Sequence, residues 1–396
     1  MTVLNKIRRN GLNWFFRRVM REVIQPTTWL GRCIRPFANL LNVILIKPVN
    51  VLRRMVSSDA QKISKKKDTL YFFYDFEVEP VTYDFVWDLC MANAEREKLG
   101  LAYLHIVFVP GEQSGLRHEV TEYEKVVDLK ARNLRIYNLL LPALALLPCQ
   151  YSMSFYRARS QAALELKNHA LHRYPKQYSV LAPVPCNPGN ALQYRQSLMG
   201  LRADKDACKH VSIWLKKQAG NKKVIVITLR DYHYGLPRNS NVPAWIEFSK
   251  SLDAEKFFVI FVPDTETVLM EGGDKLREVT CFELASWNIN MRAALSELAY
   301  LNLGVNTGPM ALCWLNARSR YITFKILAEG TAATKEEMEK RGFTVGVTPN
   351  FANKFQKWVW EDDDLECIHR EFWKMCALLD SHKTFDHEHE ADVVEA

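Results

Sequence analysis

Short apolar runs alternate with helical periodicity along most of this chain. Apolar runs of four to nine residues, typical of strands buried on both faces, occur at 70–76, 101–109, 223–229, 257–262, 279–282 and 320–326, and 151–156 is predicted to be extended. Helical spacing of the apolar residues lies between them, at 81–99, 132–147, 158–172, 191–217, 243–252 and 291–301. Strands that alternate with helices predict parallel sheets covered by helices on both faces.

The alternation occurs twice, once on each side of Gly220 and Asn221. A chain of 396 residues is long enough for two hydrophobic cores, because single cores stop growing near roughly 250 to 300 residues. We therefore predict an α/β fold with two tandem Rossmann-like, doubly wound domains, at 68–219 and 220–360. An acidic run then precedes a predicted C-terminal helix within 361–382, and a disordered tail within 383–396 follows.

The first 67 residues differ from the rest of the chain in charge. They contain 15 lysines and arginines against Glu22 and Asp59, a net charge of +13, whereas the whole chain carries +8. The remainder must then sum to −5, so the N-terminus is predicted to contact an anionic surface, and the protein as a whole is not predicted to bind nucleic acid. Aromatic residues interleaved with these arginines suit the headgroup level of an anionic bilayer.

Residues 1–56 are accordingly predicted to bind an anionic membrane, and 57–67 to form a linker. No run of ~18 uncharged apolar residues occurs, so we predict no transmembrane helix. No compact apolar segment with a small-residue cleavage site indicates a secretory signal, so a peripheral location on the cytoplasmic face is expected. The alternative is a basic arm that packs on a partner protein or on the protein itself.

Cysteine spacing gives no sign of a metal or redox centre. Nine cysteines are scattered singly, with no Cys-x-x-Cys pair. Their odd number and apolar neighbours favour reduced core thiols in a cytosolic protein. The histidines His387 and His389 lie in the predicted tail, without the surroundings of a metal site. We therefore predict that the protein binds no metal ion.

The turn Asn306-Thr307-Gly308 predicts a phosphate site. It follows a short apolar run and leads into an apolar segment that Pro309 opens, which is a favoured first residue of a helix. The N–H groups and the positive dipole end of such a first turn attract anions. Arg230 follows the strand 223–229, and ligands of open α/β sheets bind at the carboxyl ends of strands. Each feature alone is often a plain turn or a surface arginine, but together they predict a diphosphate clamp.

These features resemble the two-domain GT-B glycosyltransferases. The resemblance rests on the paired Rossmann-like halves, the strand end 228–230, the loop with Arg238 and Asn239, and the stretch 303–310. Within the class, the heptosyltransferase-like and fucosyltransferase-like members are the most similar. The resemblance covers roughly residues 220 to 330.

Two departures mark the heptosyltransferase-like motif. Those enzymes have Asp-Thr-Gly where this chain has Asn306, and a histidine near the position of Ala311. In fucosyltransferase-like members, arginines at the end of the first strand of the nucleotide domain hold the diphosphate, and Arg230 matches that position. The departures leave the identity of the donor sugar open.

The resemblance implies a glycosyltransferase that moves a sugar from a nucleotide-sugar donor to a glycan or lipid-linked acceptor. The domain at 220–360 would bind the donor, the domain at 68–219 the acceptor, and the C-terminal helix within 361–382 would cross back to the first domain. No metal or other cofactor is required in such enzymes. The implied donor-binding residues are Arg230, Arg238, Asn239, Asn306, Thr307 and Gly308.

An inverting member of the class needs a carboxylate base on the acceptor side. Asp75 and Glu77 at the end of the first strand, and Glu112 after the second, are the candidates, with Asp75 first. Two alternatives stay open. The same fold could serve a nucleotide-sugar epimerase, which needs no acceptor, or a non-catalytic membrane-peripheral subunit of a glycan-assembly complex whose altered motif no longer binds donor.

Overall fold

A computed structural model describes residues 68–382, apart from 187, 266–267 and 269–275. The predicted membrane-binding segment 1–56, the linker up to Lys67 and the predicted tail 383–396 therefore lie outside the described residues. Among the helices of the described part, none combines the length and the apolar character needed to cross a bilayer.

The chain forms two compact units that interleave along the sequence. Within the described residues, the first unit comprises 68–79, 101–118 and 152–186, and the second comprises 80–100, 119–151 and the part of the chain after 186. The units do not coincide with the predicted domains, because 80–100 and 119–151 cluster with the C-terminal half.

The first sheet has the strand order β3-β2-β1-β4. Strand β1, which is buried along its whole length, pairs in parallel with β2 and β4. Helix α4 covers β2, and its Ala162 is buried against Phe73, Val107 and Tyr178. The strands are β1 Thr69–Asp75, β2 Tyr103–Val109, β3 Gln150–Phe155 and β4 His172–Tyr174. Helix α4 spans Arg159–Asn168.

The second sheet is parallel, with the order β6-β5-β7-β8-β9. Its strands are β5 Lys223–Thr228, β6 Phe257–Val262, β7 Leu301–Val305, β8 Tyr321–Phe324 and β9 Gln356–Trp358. The chain runs outward from β5 to β6 and then returns to place β7 on the other side of β5. This reversal is a topological switch point, where ligands of open α/β sheets bind at the carboxyl ends of the strands.

Helices cover both faces of the second sheet because successive side chains of its strands point to opposite faces. Ile225 and Ile227 of β5 belong to a core that includes residues of α6 and α11, whereas Val224 and Val226 belong to a core with residues of α5 and α8. These helices are α5 Lys205–Ala219, α6 Val242–Ser251, α8 Ile289–Leu298 and α11 Leu365–Asp380.

The remaining helices lie between strands or at their ends. They are α1 Asp84–Lys98, α2 Thr121–Val126, α3 Leu129–Arg135, α7 Leu284–Trp287, α9 Ala311–Trp314 and α10 Lys335–Lys340. Helix α3 continues through a π turn, Ile136–Leu140, and two short turns that end at Leu146. The prediction of helix over 132–147 is therefore confirmed.

Four predicted elements differ from the structure. The helix predicted over 158–172 ends at Asn168, because His172 already begins β4. The predicted helix 191–217 is a 3-10 segment, Pro188–Leu198, broken at Arg195 with φ 47°, followed by α5, which begins only after Asp204 caps it. The predicted strand 279–282 is reduced to one bridge between Phe261 and Cys281. The helix predicted over 291–301 ends at Leu298, because Leu301 already begins β7.

The acidic run 362–364 caps helix α11 as predicted, but only its last residue, Asp364, makes the capping hydrogen bond. The Asp364 carboxylate accepts a hydrogen bond from the Cys367 N–H at 2.8 Å. Asp363 points inward and accepts from the Trp245 indole N–H at 2.8 Å. Helix α11 packs against α6 and β8 of the second sheet. Its predicted crossing to the N-terminal domain stays a prediction.

Candidate functional site

A cavity of about 170 Å³ lies at the carboxyl ends of β5 and β7, within the second compact unit. Its lining includes Tyr83, Asp84, Trp87, Arg238, Asn306, Thr307, Gly308, Ala311, Trp314, Met338, Arg341, Phe343 and Trp358. Four of the six predicted donor-binding residues are therefore brought together. The volume is below the ~300–1,000 Å³ typical of pockets for whole small-molecule ligands, so the cavity suits only part of a nucleotide sugar.

The turn after β7 is fixed by backbone and amide hydrogen bonds. The Asn306 N–H donates to the Phe324 carbonyl at 3.1 Å, and its side-chain Nδ2 donates to the Ile326 carbonyl at 2.7 Å. Asn306 therefore joins the ends of β7 and β8. In this role an amide replaces the aspartate of the heptosyltransferase-like motif, because a carboxylate has no proton to donate to a carbonyl.

The helix predicted to open at Pro309 is short. A 3-10 turn, Gly308–Met310, leads into α9, which ends at Trp314, so the helical stretch is only seven residues long. Gly308 lies against Tyr83, and a Cβ atom at 308 would approach the Tyr83 Cδ2 to 2.8 Å. A seven-residue helix offers a small dipole, so side chains supply most of the positive potential in the cavity.

Arg230 points into its own loop. It is 6% exposed, and its guanidinium donates to the carbonyls of Tyr234 and Gly235, the latter at 3.1 Å, and to the Asn239 Oδ1. Asn239 in turn donates from Nδ2 to the Tyr232 carbonyl at 3.0 Å. Arg230 and Asn239 thus order the loop 231–240. In this structure Arg230 positions the loop, because backbone carbonyls bind its guanidinium, and the direct clamp by Arg230 stays a prediction.

Arg238 is the arginine of that loop which lines the cavity. Its guanidinium donates to the Asn306 carbonyl at 2.9 Å, so the loop after β5 is joined to the turn after β7. Its Nε is buried and donates to no residue of the described chain. Burial, together with the nearby charges of Arg230 and Arg341, lowers the pKa of Arg238 to about 10. Even so, the guanidinium stays charged at neutral pH.

Four aromatic rings form one wall of the cavity. Trp314 lies 5.9 Å from Trp87 and 5.1 Å from Trp358, measured between ring centroids. Phe343 lies 5.1 Å from Trp358 and 6.3 Å from Trp87. The Trp314 indole N–H donates to the Thr323 hydroxyl at 2.8 Å, which fixes its orientation on β8. An apolar wall lowers the local dielectric constant and strengthens charge interactions beside it.

The carboxylate favoured as base from the sequence, Asp75, is buried and saturated. It is 1% exposed, and both of its oxygens accept hydrogen bonds from Arg159 at 2.7 Å. The Glu77 N–H and the Tyr178 hydroxyl donate to the same carboxylate. Four donors fill its acceptor positions, so Asp75 has no lone pair left for an acceptor hydroxyl. These contacts favour a structural role for Asp75 within the first unit, and its role as a base stays a prediction.

The other two predicted bases lie in the same unit and contact each other. The Glu77 carboxylate accepts a hydrogen bond from the Glu112 N–H at 2.9 Å. The Glu112 side chain is exposed, and that of Glu77 is partly buried. Both keep the accessibility that a general base needs.

Asp84 is a carboxylate that the sequence analysis missed. It is the first residue of α1, is exposed, and lines the cavity with Arg238 and Gly308. One of its oxygens accepts from the Thr82 hydroxyl at 2.9 Å. The available signal was Thr82-x-Asp84 at a helix start, a pattern that helix capping alone also explains.

No protein-family model matches this sequence, and no curated protein sequence matches it significantly. Solved structures do match. The chain is similar to the Escherichia coli ADP-heptose LPS heptosyltransferase II, with a TM-score of 0.47 and 10% identity over 80% of this chain and 100% of that one. In structure, too, the chain resembles glycosyltransferases.

Two further matches have the same character. The E. coli heptosyltransferase WaaC, solved with ADP, gives a TM-score of 0.38 at 10% identity, over 78% of this chain and 98% of that one. A family 9 glycosyl transferase from Veillonella parvula gives 0.37 at 7% identity, over 66% and 81%.

Proposed function

We propose that this protein is a glycosyltransferase that binds a nucleotide-sugar donor in the cavity at the carboxyl ends of β5 and β7. One observation carries the proposal. Arg238 lines a cavity at the switch point of a parallel sheet and is hydrogen-bonded to the turn Asn306-Thr307-Gly308. A switch point is where such sheets bind ligands, and a guanidinium is the side chain best suited to a phosphate group.

The cavity supplies the charge that transfer needs without a metal ion. When the bond to the sugar breaks, negative charge develops on the diphosphate, and a fixed guanidinium in a low-dielectric cavity stabilises it. Arg238 has this position, and the Arg230-Asn239 network holds its loop in place. We infer metal-independent transfer, in which Thr307 and Gly308 contribute backbone contacts to the donor.

An inverting transfer also needs a base for the acceptor hydroxyl. Asp84 fits this role because it is exposed and lines the same cavity as Arg238. We therefore prefer Asp84 to Asp75 as the candidate base. Glu77 and Glu112 remain the other candidates with accessible carboxylates. An ionised carboxylate with a free lone pair accepts the hydroxyl proton as the oxygen attacks the donor sugar.

The acceptor is proposed to be a glycan or a lipid-linked glycan at the cytoplasmic face of a membrane. The support is the +13 net charge and the interleaved aromatic residues of 1–67. Such a segment would hold the enzyme at an anionic surface and raise its effective concentration towards lipid-linked substrates.

A thermal-shift panel of nucleoside diphosphates tests the proposal. A ligand at 100 times its dissociation constant stabilises the folded protein by about 2.7 kcal/mol, so at least one member should raise the melting temperature of the full chain. The matching nucleotide sugar is then incubated with and without glycan acceptors. Turnover of donor alone to an isomer would support the epimerase, and no shift with any nucleotide would contradict both enzyme hypotheses.

A further inference from the structure

A second arginine, Arg341, lines the same cavity. It follows α10 directly, in the long connection between β8 and β9, whereas Arg238 belongs to the loop after β5. Its backbone N–H donates to the Glu337 carbonyl at 3.1 Å, so its place at the end of α10 is fixed. Within the described chain, its guanidinium forms no hydrogen bond and no ion pair.

The cavity holds more positive than negative charge. Asp84 is the one carboxylate in its described lining, and it is exposed and already accepts a hydrogen bond from Thr82. Two arginines, Arg238 and Arg341, line the same cavity. Burial and the charge of Arg230 lower the pKa of Arg238, the charge of Asp84 raises it, and the charge of Arg341 lowers it further.

Besides this excess of positive charge, the Nε of Arg238, unpaired among the described residues, also indicates a ligand. Arg238 uses one terminal nitrogen to bind the Asn306 carbonyl, while its buried Nε has no partner in the described chain. A buried donor without an acceptor lowers stability relative to one that is satisfied. An anion in the cavity would satisfy it and screen the two like charges from each other.

We propose that Arg238 and Arg341 together bind the two phosphate groups of the donor diphosphate, with Arg341 in the place that the sequence suggested for Arg230. This inference rests on the proposed function, and it adds Arg341 as a second residue that binds the diphosphate. Two arginines from separate segments match two linked phosphates, and the cavity of about 170 Å³ leaves the remainder of a nucleotide sugar outside it.

The aromatic wall makes these contacts stronger. Trp87, Trp314 and Phe343 line the cavity beside Arg341, so an anion there loses part of its water. Charge-assisted hydrogen bonds gain strength as the surroundings become less polar, and a guanidinium donates two parallel N–H bonds to one phosphate. The site therefore selects for a phosphate-bearing ligand even without its base or sugar.

Inorganic pyrophosphate is the probe, because it has the two phosphates and neither base nor sugar. Its affinity for the full-length protein is measured by isothermal titration calorimetry for the wild type, Arg341→Gln, Arg341→Lys and Lys335→Gln. Lys335 lies on the same helix, α10, with a side chain 65% exposed, so its substitution removes a charge outside the cavity. Melting temperatures without ligand show that each variant folds.

We expect Arg341→Gln to bind pyrophosphate about 10- to 100-fold more weakly, Arg341→Lys to lie between it and the wild type, and Lys335→Gln to match the wild type. An equal loss of pyrophosphate affinity in Arg341→Gln and Lys335→Gln would show that only the net charge of the protein matters, and would overturn the inference. Unchanged affinity in Arg341→Gln would overturn it as well. Pyrophosphate binding needs no transferase, so the nucleotide panel and the transfer assay can fail while this result stands.

Discussion

At the scale of single residues, the structure separates two aspartates that look alike in the sequence. Asp75 ends a strand and Asp84 begins a helix, and either could be a base. Asp75 is saturated by Arg159, Tyr178 and a backbone N–H, whereas Asp84 is exposed beside Arg238. Sequence pattern places a residue at a strand end but does not show which donors fold onto it from distant segments.

Asp84→Asn tests the proposed base. We expect the rate of sugar transfer to fall about 10²- to 10⁴-fold, because an amide cannot accept the acceptor proton. Nucleoside diphosphate affinity and melting temperature should change little, since Asp84 is exposed and its carboxylate accepts one hydrogen bond within the described chain, from Thr82. Steady-state kinetics and a binding titration measure the two effects. An Asp84→Asn enzyme with wild-type turnover would return the role to Glu77 or Glu112.

Asp75→Ala serves as the structural contrast. Removing this carboxylate leaves the Arg159 guanidinium without its buried ion-pair partner, and breaking a buried pair costs about 3–5 kcal/mol. Chemical denaturation should show a loss of that size. Asp75→Asn, which keeps an oxygen that can accept hydrogen bonds, should lose less. Stability close to wild type in Asp75→Ala would contradict the structural role given to this residue.

At the scale of elements, the sequence predicts most strands of the two sheets but misses β4 and β9, and it does not show how the loops of the site are ordered. Lys223–Thr228 is recognisable because its apolar, largely β-branched residues fit a sheet buried on both faces. The loop 231–240 has no such pattern. It is ordered by Arg230 and Asn239 binding carbonyls of their own loop, an arrangement that becomes visible only with coordinates.

Gly304→Ala tests the contact between β5 and β7. A Cβ atom at 304 would approach the Thr228 carbonyl oxygen to 2.9 Å and the Met310 sulfur to 3.1 Å. Backbone cannot move aside cheaply in a paired strand, so we expect a loss of about 1–3 kcal/mol in the free energy of unfolding. Denaturation curves measure it. The nucleotide affinity should fall as well, because the turn 306–308 is carried by β7.

Glu371 of helix α11 is a carboxylate whose ion pairs contribute to stability in a pH-dependent way. Burial raises the pKa of this carboxyl, but hydrogen bonds from Lys357, Arg370 and Lys374 outweigh it and lower the pKa to about 2. A lowered pKa means that the carboxylate stabilises the fold above its unfolded pKa near 4.5, and that this contribution disappears as pH falls towards 2.

The free energy of unfolding of Glu371→Gln should therefore fall less than that of the wild type between pH 5 and about 2. Urea denaturation over that range measures it, with Glu366→Gln on the same helix as the control, because Glu366 is exposed. The expected result is that the difference in stability between wild type and Glu371→Gln is largest near neutral pH. A constant difference at every pH would contradict the ion-pair explanation.

At the scale of the whole molecule, alternation of strands and helices was enough to predict two parallel sheets. It was not enough to predict the compact units, because 80–100 and 119–151 precede the second sheet in sequence but cluster with it in space. Such associations depend on packing between segments far apart in the chain. The order β6-β5-β7-β8-β9 in turn locates the switch point, which periodicity alone cannot supply.

Deleting residues 1–56 tests the proposed membrane association. These residues contain 11 of the 15 lysines and arginines in 1–67, and each one near an anionic surface contributes about 1 kcal/mol to binding. The full chain should sediment with liposomes that contain anionic lipids, and less so in high salt, whereas the truncated protein should stay in the supernatant. Equal sedimentation of both would place the membrane contact elsewhere, and neutral liposomes provide the control.

The small size of the arginine-lined cavity has a practical consequence for inhibitor discovery. A space of about 170 Å³ with aromatic rings on one wall and two guanidinium groups is matched by fragments, not by nucleotide mimics. Compounds that join a flat ring to a phosphonate would use both features, and small ligands reach the highest binding free energy per atom. Screening could thus begin from pieces of the donor before its sugar is known.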